Sequence, residues 1–266
     1  MLEHITERRW REVFLLTAGM MRKADNFIQL MKYKIDELIS TDEQLQNVMQ
    51  WVAQKSSLAK VPYQPAEVRG IYLGLINSYI LGKRSDFRYL PRILAFDLAL
   101  TGNSDNNFYQ TCSPGAIGII TSGLSFEVTV FFERKKIRAS RLCLDMSYPN
   151  YFNLNFDFDL EHNPNPQLQI LLDNLKSQFP PPQNESKAFK CWYKTDGQVW
   201  TEQLRKVMIE HCDIGHNWQF NETQKMLLGQ YYYANKLLMD CLNSDCYINR
   251  EVRQEIENTL LLPNEN

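Results

Sequence analysis

PAEVRGIYLGLINSYILG, residues 65–82, decides the fold class of this chain. Pro65 suits a first helical position, because the N–H it lacks would find no partner there. Val68, Ile71, Tyr72, Leu75, Ile76, Tyr79 and Ile80 then recur every three or four residues, which is the period of one helix face. Gly82 follows as a helix-ending cap. Moving upstream, the same period runs through Leu45, Val48, Met49 and Val52. That helix opens at STDEQ, where Thr41 is expected to cap and Gln44 to complete a capping box. Phe27, Ile28, Met31, Ile35, Leu38 and Ile39 repeat the pattern, and so do Trp10, Val13, Phe14, Thr17, Met20 and Met21. The spacing predicts antiparallel helices over the first hundred residues, packed as hairpins or a superhelical stack.

Downstream the pattern changes. TGNSDNNFYQTCSPG reads as a loop, and LSFEVTV and FNLNFDFDLE alternate apolar and polar residues as half-buried strands do. From Pro166 the helical period returns through Leu168, Leu171, Leu172, Leu175 and Phe179. FPPPQNES interrupts it, since consecutive prolines cannot continue a helix. Next come the Trp-rich CWYKTDGQVW, a helix over TEQLRKVMIEH and the loop IGHNWQF. A long helix from about Asn221 to Leu242 follows, then a last one, NREVRQEIENTLLL, capped by Asn249 and ended by Pro263. The expected fold class is mainly α. A helical bundle spans 1–101, a variable, low-complexity or partly β insert spans 102–165, and a helical domain spans 166–266.

Composition narrows the function. The chain has 266 residues, of which 44% are hydrophobic and 23% charged, as in ordinary globular proteins. A formal charge of −2 supplies no global field toward nucleic acid or an acidic membrane. FLLTAGMM and GAIGIITSGL are too short to span a bilayer, and the N-terminus has no signal-peptide core. Six cysteines without a secretory signal imply reduced thiols in a cytoplasmic protein, so the sequons at Asn184 and Asn221 carry no meaning.

Several constellations could carry chemistry. HCDIGHNW (211–218) and CLNSDC (241–246) suggest zinc, with Cys212 and His216 as one pair and Cys241 and Cys246 as the other. The intervening helix, about 30 Å long, would hold the pairs apart. Cys241 therefore reads as a small buried hydrophobe, and His216 as a hydrogen-bonding turn residue. Ser57 and Lys60 have the spacing of some acyl-transferases, but the partner motifs are missing. Glu161 and His162 have no nucleophile beside them, and pairing Cys191 with His162 or Cys212 with His211 has no support in sequence. ERKKIRASR (133–141), flanked by Phe131, Phe132, Tyr148, Tyr151 and Phe152, is the basic run that single-stranded nucleic acid would use. Against the overall charge it reads as a solvated strand edge or turn. Trp51, Trp192, Trp200 and Trp218 read as core and helix-junction packing. No catalytic, cofactor-binding or metal residue emerges.

RRWREVFLLTAGMM, VMQWVAQKSS, and the closing GQVWTEQLRKVMIEHCDIGHNWQF and QYYYANKLLMDCLNSDCYINREVRQEIENTLLLP resemble the C-terminal helical region of bacterial, mainly cyanobacterial, NACHT proteins. These are STAND-type NTPases related to NOD-like receptors. AFDLAL and NFDFDLE look like remnants of the variable, alternating middle found in such relatives. The chain departs from a whole NACHT protein in lacking a phosphate loop. GLINSYILGKRS has the wrong glycine spacing, and no acidic strand end for magnesium accompanies it. The chain thus looks like the part following the motor, whether as a fragment, a separately encoded half or a truncated frame.

The resemblance implies a non-catalytic sensor, regulatory or interaction module in antiphage defence or signalling. Its expected partners are a NACHT NTPase domain, in cis or in trans, and a sensed ligand, itself a protein. A metal- or nucleic-acid-binding domain is the alternative. The expected docking patch is Trp10, Phe14, Met21 and Phe27, more aromatic and sulfur-bearing surface than one hairpin core needs.

Overall fold

The computed structural model of the chain describes residues 1–60, 64–81, 90, 93–94, 97–98, 100–101, 165–178 and 186–262. Among them the chain is mainly helical and contains no strand. Both expected strands, the loop at 102–115, Gly82, Pro263 and the basic run at 133–141 lie outside the described residues. The helices are α1 (Arg11–Met20), α2 (Asp25–Glu37), α3 (Glu43–Leu58), α4 (Pro65–Leu81), α5 (Pro166–Ser177), α6 (Ser186–Thr195), α7 (Gly197–Cys212), α8 (Glu222–Leu242) and α9 (Arg250–Thr259). Short 3-10 turns at Leu2–His4 and Arg8–Trp10 precede α1.

Two units can be described. The first takes Met1–Leu58, Pro62–Leu81 and Gln219–Asn266. Helices from both ends of the chain are interleaved within it. α8 packs against α1, α2 and α4, α3 lies along α4, and α9 bridges α2 and α4. Burial explains this arrangement. α8 is apolar around most of its girth, with Leu228, Tyr231, Tyr232, Ala234, Leu237, Leu238, Cys241 and Leu242 all buried, and such a helix must be covered on several sides. α4 is built alike: Val68, Tyr72, Leu73, Leu75 and Ile76 are buried, and Trp51 of α3 meets Tyr72 edge to face with ring centroids 5.7 Å apart.

The caps tie this unit together. Asn221 and Gln224 form a full capping box at the start of α8. The Gln224 Nε2 also donates to both carboxylate oxygens of Asp42, at 3.2 and 3.1 Å. Asp42 in turn accepts the Leu45 N–H at 3.0 Å. The cap of α3 is therefore Asp42, one residue later than the STDEQ pattern suggests. A carboxylate at the positive end of a helix outcompetes the neighbouring Thr41 hydroxyl. The expected Asn249 cap of α9 is present, accepting the Glu251 N–H at 3.0 Å.

The second unit takes Ala59–Val61 and Gly82–Trp218. Its described core is α7, packed on α5 and α6. Asn165 caps α5 by accepting the Leu168 N–H at 3.2 Å. α7 begins at Gly197, four residues before the TEQLRKVMIEH helix expected from sequence, and α6 fills most of the preceding Trp-rich stretch. At this junction a Cβ on residue 197 would lie 2.7 Å from Tyr193 Cδ2, so glycine permits the close approach. Trp200 is 1% exposed, and its indole N–H donates to the Leu175 carbonyl at 3.0 Å, joining α7 to α5.

Candidate functional site

The histidines and cysteines divide between two local structures. α7 ends at Asp213, whose left-handed backbone (φ 51°) is followed by Gly215 at φ 82° and by Gln219 at φ 47°. Arg205 reaches from α7 to donate to the Gly215 carbonyl at 2.6 Å. His216 Nε2 lies 2.8 Å from Asp213 Oδ1, and its ring sits 5.4 Å from that of Trp218. These contacts fold the loop onto the end of its own helix. His216 is thus a hydrogen-bonded turn residue, as the sequence suggests. Cys212, in the last turn of α7, is half-buried.

The second cysteine pair lies at the end of α8, Cys241 in its last turn and Cys246 just beyond it. Cys241 is fully buried, and burial pushes its thiol up to about 12. At neutral pH such a sulfur is neither nucleophile nor metal ligand without a large cost. Cys246 donates its S–H to the Cys241 carbonyl at 3.0 Å, which closes the turn after α8. In the sequence, residues 222–240 of α8 separate the two pairs. Among the described residues no group of three or more His, Cys, Asp or Glu side chains is placed to hold a metal.

The remaining sequence candidates are scattered. The Ser57 hydroxyl donates to the Gln54 carbonyl at 2.7 Å, an ordinary bond within a helix. Cys191 is exposed on α6, while His162 and Glu161 lie outside the described residues. Trp192 meets Trp200 edge to face at 6.2 Å, and with Trp51 on Tyr72 this fits the packing role expected of the tryptophans.

The expected docking patch is corrected by burial. Phe14 is fully buried and Phe27 nearly so, the two rings stacked 6.2 Å apart in the core of the first unit. Trp10 lies flat on His4, with ring centroids 4.2 Å apart. Of the four residues, Met21 alone is exposed. The bare apolar surface lies on the other side of α1, where Val13, Leu16 and Met20 are 40%, 62% and 83% exposed. Their spacing of three and four places them on one stripe, roughly opposite Phe14 and Ala18. α1 is therefore apolar on both sides, with its only charges at Arg11 and Glu12. The buried side is fixed by anchors to α8: Arg11 donates to Asp240 at 3.0 Å, and Arg8 just before α1 stands over the Tyr233 ring at 5.7 Å. Sequence periodicity finds such a helix but cannot say which of two apolar stripes faces the core. On α2, Leu30 and Tyr33 are exposed as well.

No helix among the described residues is long and apolar enough to cross a membrane. No curated protein and no solved structure matches the chain. Residues 168–263, from α5 through the end of α9, match the family model of NACHT C-terminal Helical domain 2, and this part of the chain is a NACHT-associated helical region.

Proposed function

We propose that the chain is a non-catalytic, cytoplasmic interaction module that docks on a NACHT NTPase domain, in cis or in trans, and biases its switch toward the resting state. The observation that carries this reading is the second apolar stripe of α1. Val13, Leu16 and Met20 stand bare on a helix whose opposite side already supplies the core. A helix with apolar residues on both sides is ordinarily covered on both. The family match, over residues 168–263, supports a NACHT domain as the class of partner. A surface that meets only one state of the motor shifts the balance by its differential affinity and requires no chemistry of its own. Bacterial defence or signalling is the setting this implies, with a protein as the sensed ligand.

The test is co-expression of the chain with a NACHT-containing motor from the same genome, followed by capture of one through the other. Co-purification, together with raised basal NTPase activity in a motor freed of this region, supports the proposal. A chain that captures no motor, beside a motor of unchanged basal activity, contradicts it. Stoichiometric zinc, or salt-sensitive affinity for single-stranded nucleic acid lost on replacing Arg134, Lys135, Lys136 and Arg138 with serine, would replace this reading by a binding-domain one.

A further inference from the structure

α9 is held by few apolar side chains and many polar contacts. α9, REVRQEIENT, buries Ile256 alone, and Leu260 and Leu261 just after it complete its apolar anchorage. Leu261 adopts a left-handed backbone (φ 62°) and packs over Gly70, where a Cβ would lie 3.6 Å from its Cδ1. The other contacts are polar. Arg69 of α4 donates to the carbonyls of Leu260 at 2.8 Å and Asn258 at 2.6 Å. Lys32 of α2 donates to the Leu262 carbonyl at 3.0 Å, and to both oxygens of Asp36 at 2.7 and 2.6 Å. Arg253 reaches back to the Leu242 carbonyl, the Asn249 N–H donates to Asp25 at 2.7 Å, and the Ala24 N–H donates to the Tyr247 carbonyl at 2.9 Å. Two buried cations thus meet the carbonyl end of the helix, where its dipole is negative.

The floor beneath this seat is itself polar. Lys32, Asp36 and Arg69 are all buried. Dehydrating three charged groups costs free energy that the seated state only partly recovers through hydrogen bonds. If α9 lifts, Lys32 keeps Asp36 and Arg69 gains water. Lifting exposes three aliphatic side chains but restores the hydration of that floor. For the Phe14–Phe27 contact no such compensation exists.

We infer that residues 249–262 form a releasable strap, seated across α2 and α4 by the Lys32–Arg69 clamp, which opens as a local step while α1, α2, α4 and α8 stay folded. This is independent of docking through α1. The strap gives the unit two states with different surfaces, so a partner that covers the seat or holds the strap down gains control over the balance.

Native-state hydrogen exchange on the full chain, read by mass spectrometry, tests the inference. The α9 amides are expected to exchange together and at least about tenfold faster than the buried amides of α8, whose exchange reports global unfolding. Arg69→Gln is expected to speed both α9 and α8 by about a further tenfold, because both openings break the clamp. Phe14→Ala is expected to speed α8 and leave α9 unchanged, because its contact survives the lifting of the strap. Exchange of α9 in step with α8 in the unaltered chain overturns the strap, and so does equal acceleration of both helices by Phe14→Ala. Should either variant fail to fold, the unaltered chain still decides.

Discussion

α1 and α9 both lie at the edge of the same unit, each ten residues long, and they are retained by opposite physics. α1 brings more apolar surface than the core can use: Phe14 and Ala18 are buried, while Leu16 and Met20 are left in solvent. α9 brings too little, and the difference is made up by Lys32 and Arg69 holding its terminal carbonyls. A helix held by hydrophobic burial has nothing to gain from leaving, and its spare face invites a partner. Where buried charge does the holding, the hydration regained on leaving makes the helix releasable.

The largest effect should come from breaking the α1 side. Phe14→Ala removes a fully buried ring stacked on Phe27 and should cost about 3–5 kcal/mol, read as a lower urea midpoint. A loss below about 1 kcal/mol would mean that α1 contributes little to the core.

On the α9 side the signature is pH. Burial pushes the Asp36 carboxyl up to about 6, against the pull of Lys32. A carboxyl whose folded pKa is raised binds its proton more readily in the folded state. Its contribution is thus fully present below the unfolded value and is lost as pH rises through the folded one. Stability should fall between about pH 4 and 6.5, by on the order of 2–3 kcal/mol from this group, and Asp36→Asn should flatten that limb. Chemical denaturation across this range checks it, and an unchanged limb in Asp36→Asn would contradict the assignment.

A smaller effect is expected at the junction of α3 and α8. Asp42→Ala uncaps α3 and strands the Gln224 amide, so it should cost about 1–2 kcal/mol in thermal or chemical denaturation. Asp42→Asn keeps a capping oxygen and should retain most of that stability. The smallest effect belongs to the bare face. Leu16→Glu should change thermal stability by no more than about 0.5 kcal/mol, because the side chain it replaces touches mainly water.

Much of this fold is legible in the sequence, for local reasons. The apolar period finds the helices, and Asn221 and Asn249 mark the starts of α8 and α9, because caps and periodicity act within a few residues. Pairing between distant segments leaves no such local trace. Nothing in the sequence pattern says that α8 lies against α1, α2 and α4. The clamp escapes a reading by pattern because charged residues on a helix pass for its solvent face. The signal available is Lys32 and Asp36 set four apart within the apolar stripe of Ile28, Met31 and Ile35. The expected docking patch falls on the wrong side of α1 because both sides are apolar. The anchors that choose between them, Arg11 to Asp240 and Arg8 over Tyr233, come from residues more than two hundred positions away.

The docking surface proposed for a NACHT domain is the spare face of α1. It is tested most directly by titrating that domain with the unaltered chain and with the double variant Leu16→Glu, Met20→Glu in a calorimeter. Saturable binding is expected of the unaltered chain, and a loss of at least about tenfold in affinity of the variant, whose thermal midpoint stays nearly unchanged. Equal affinity of the two chains, or no binding by either, would contradict it.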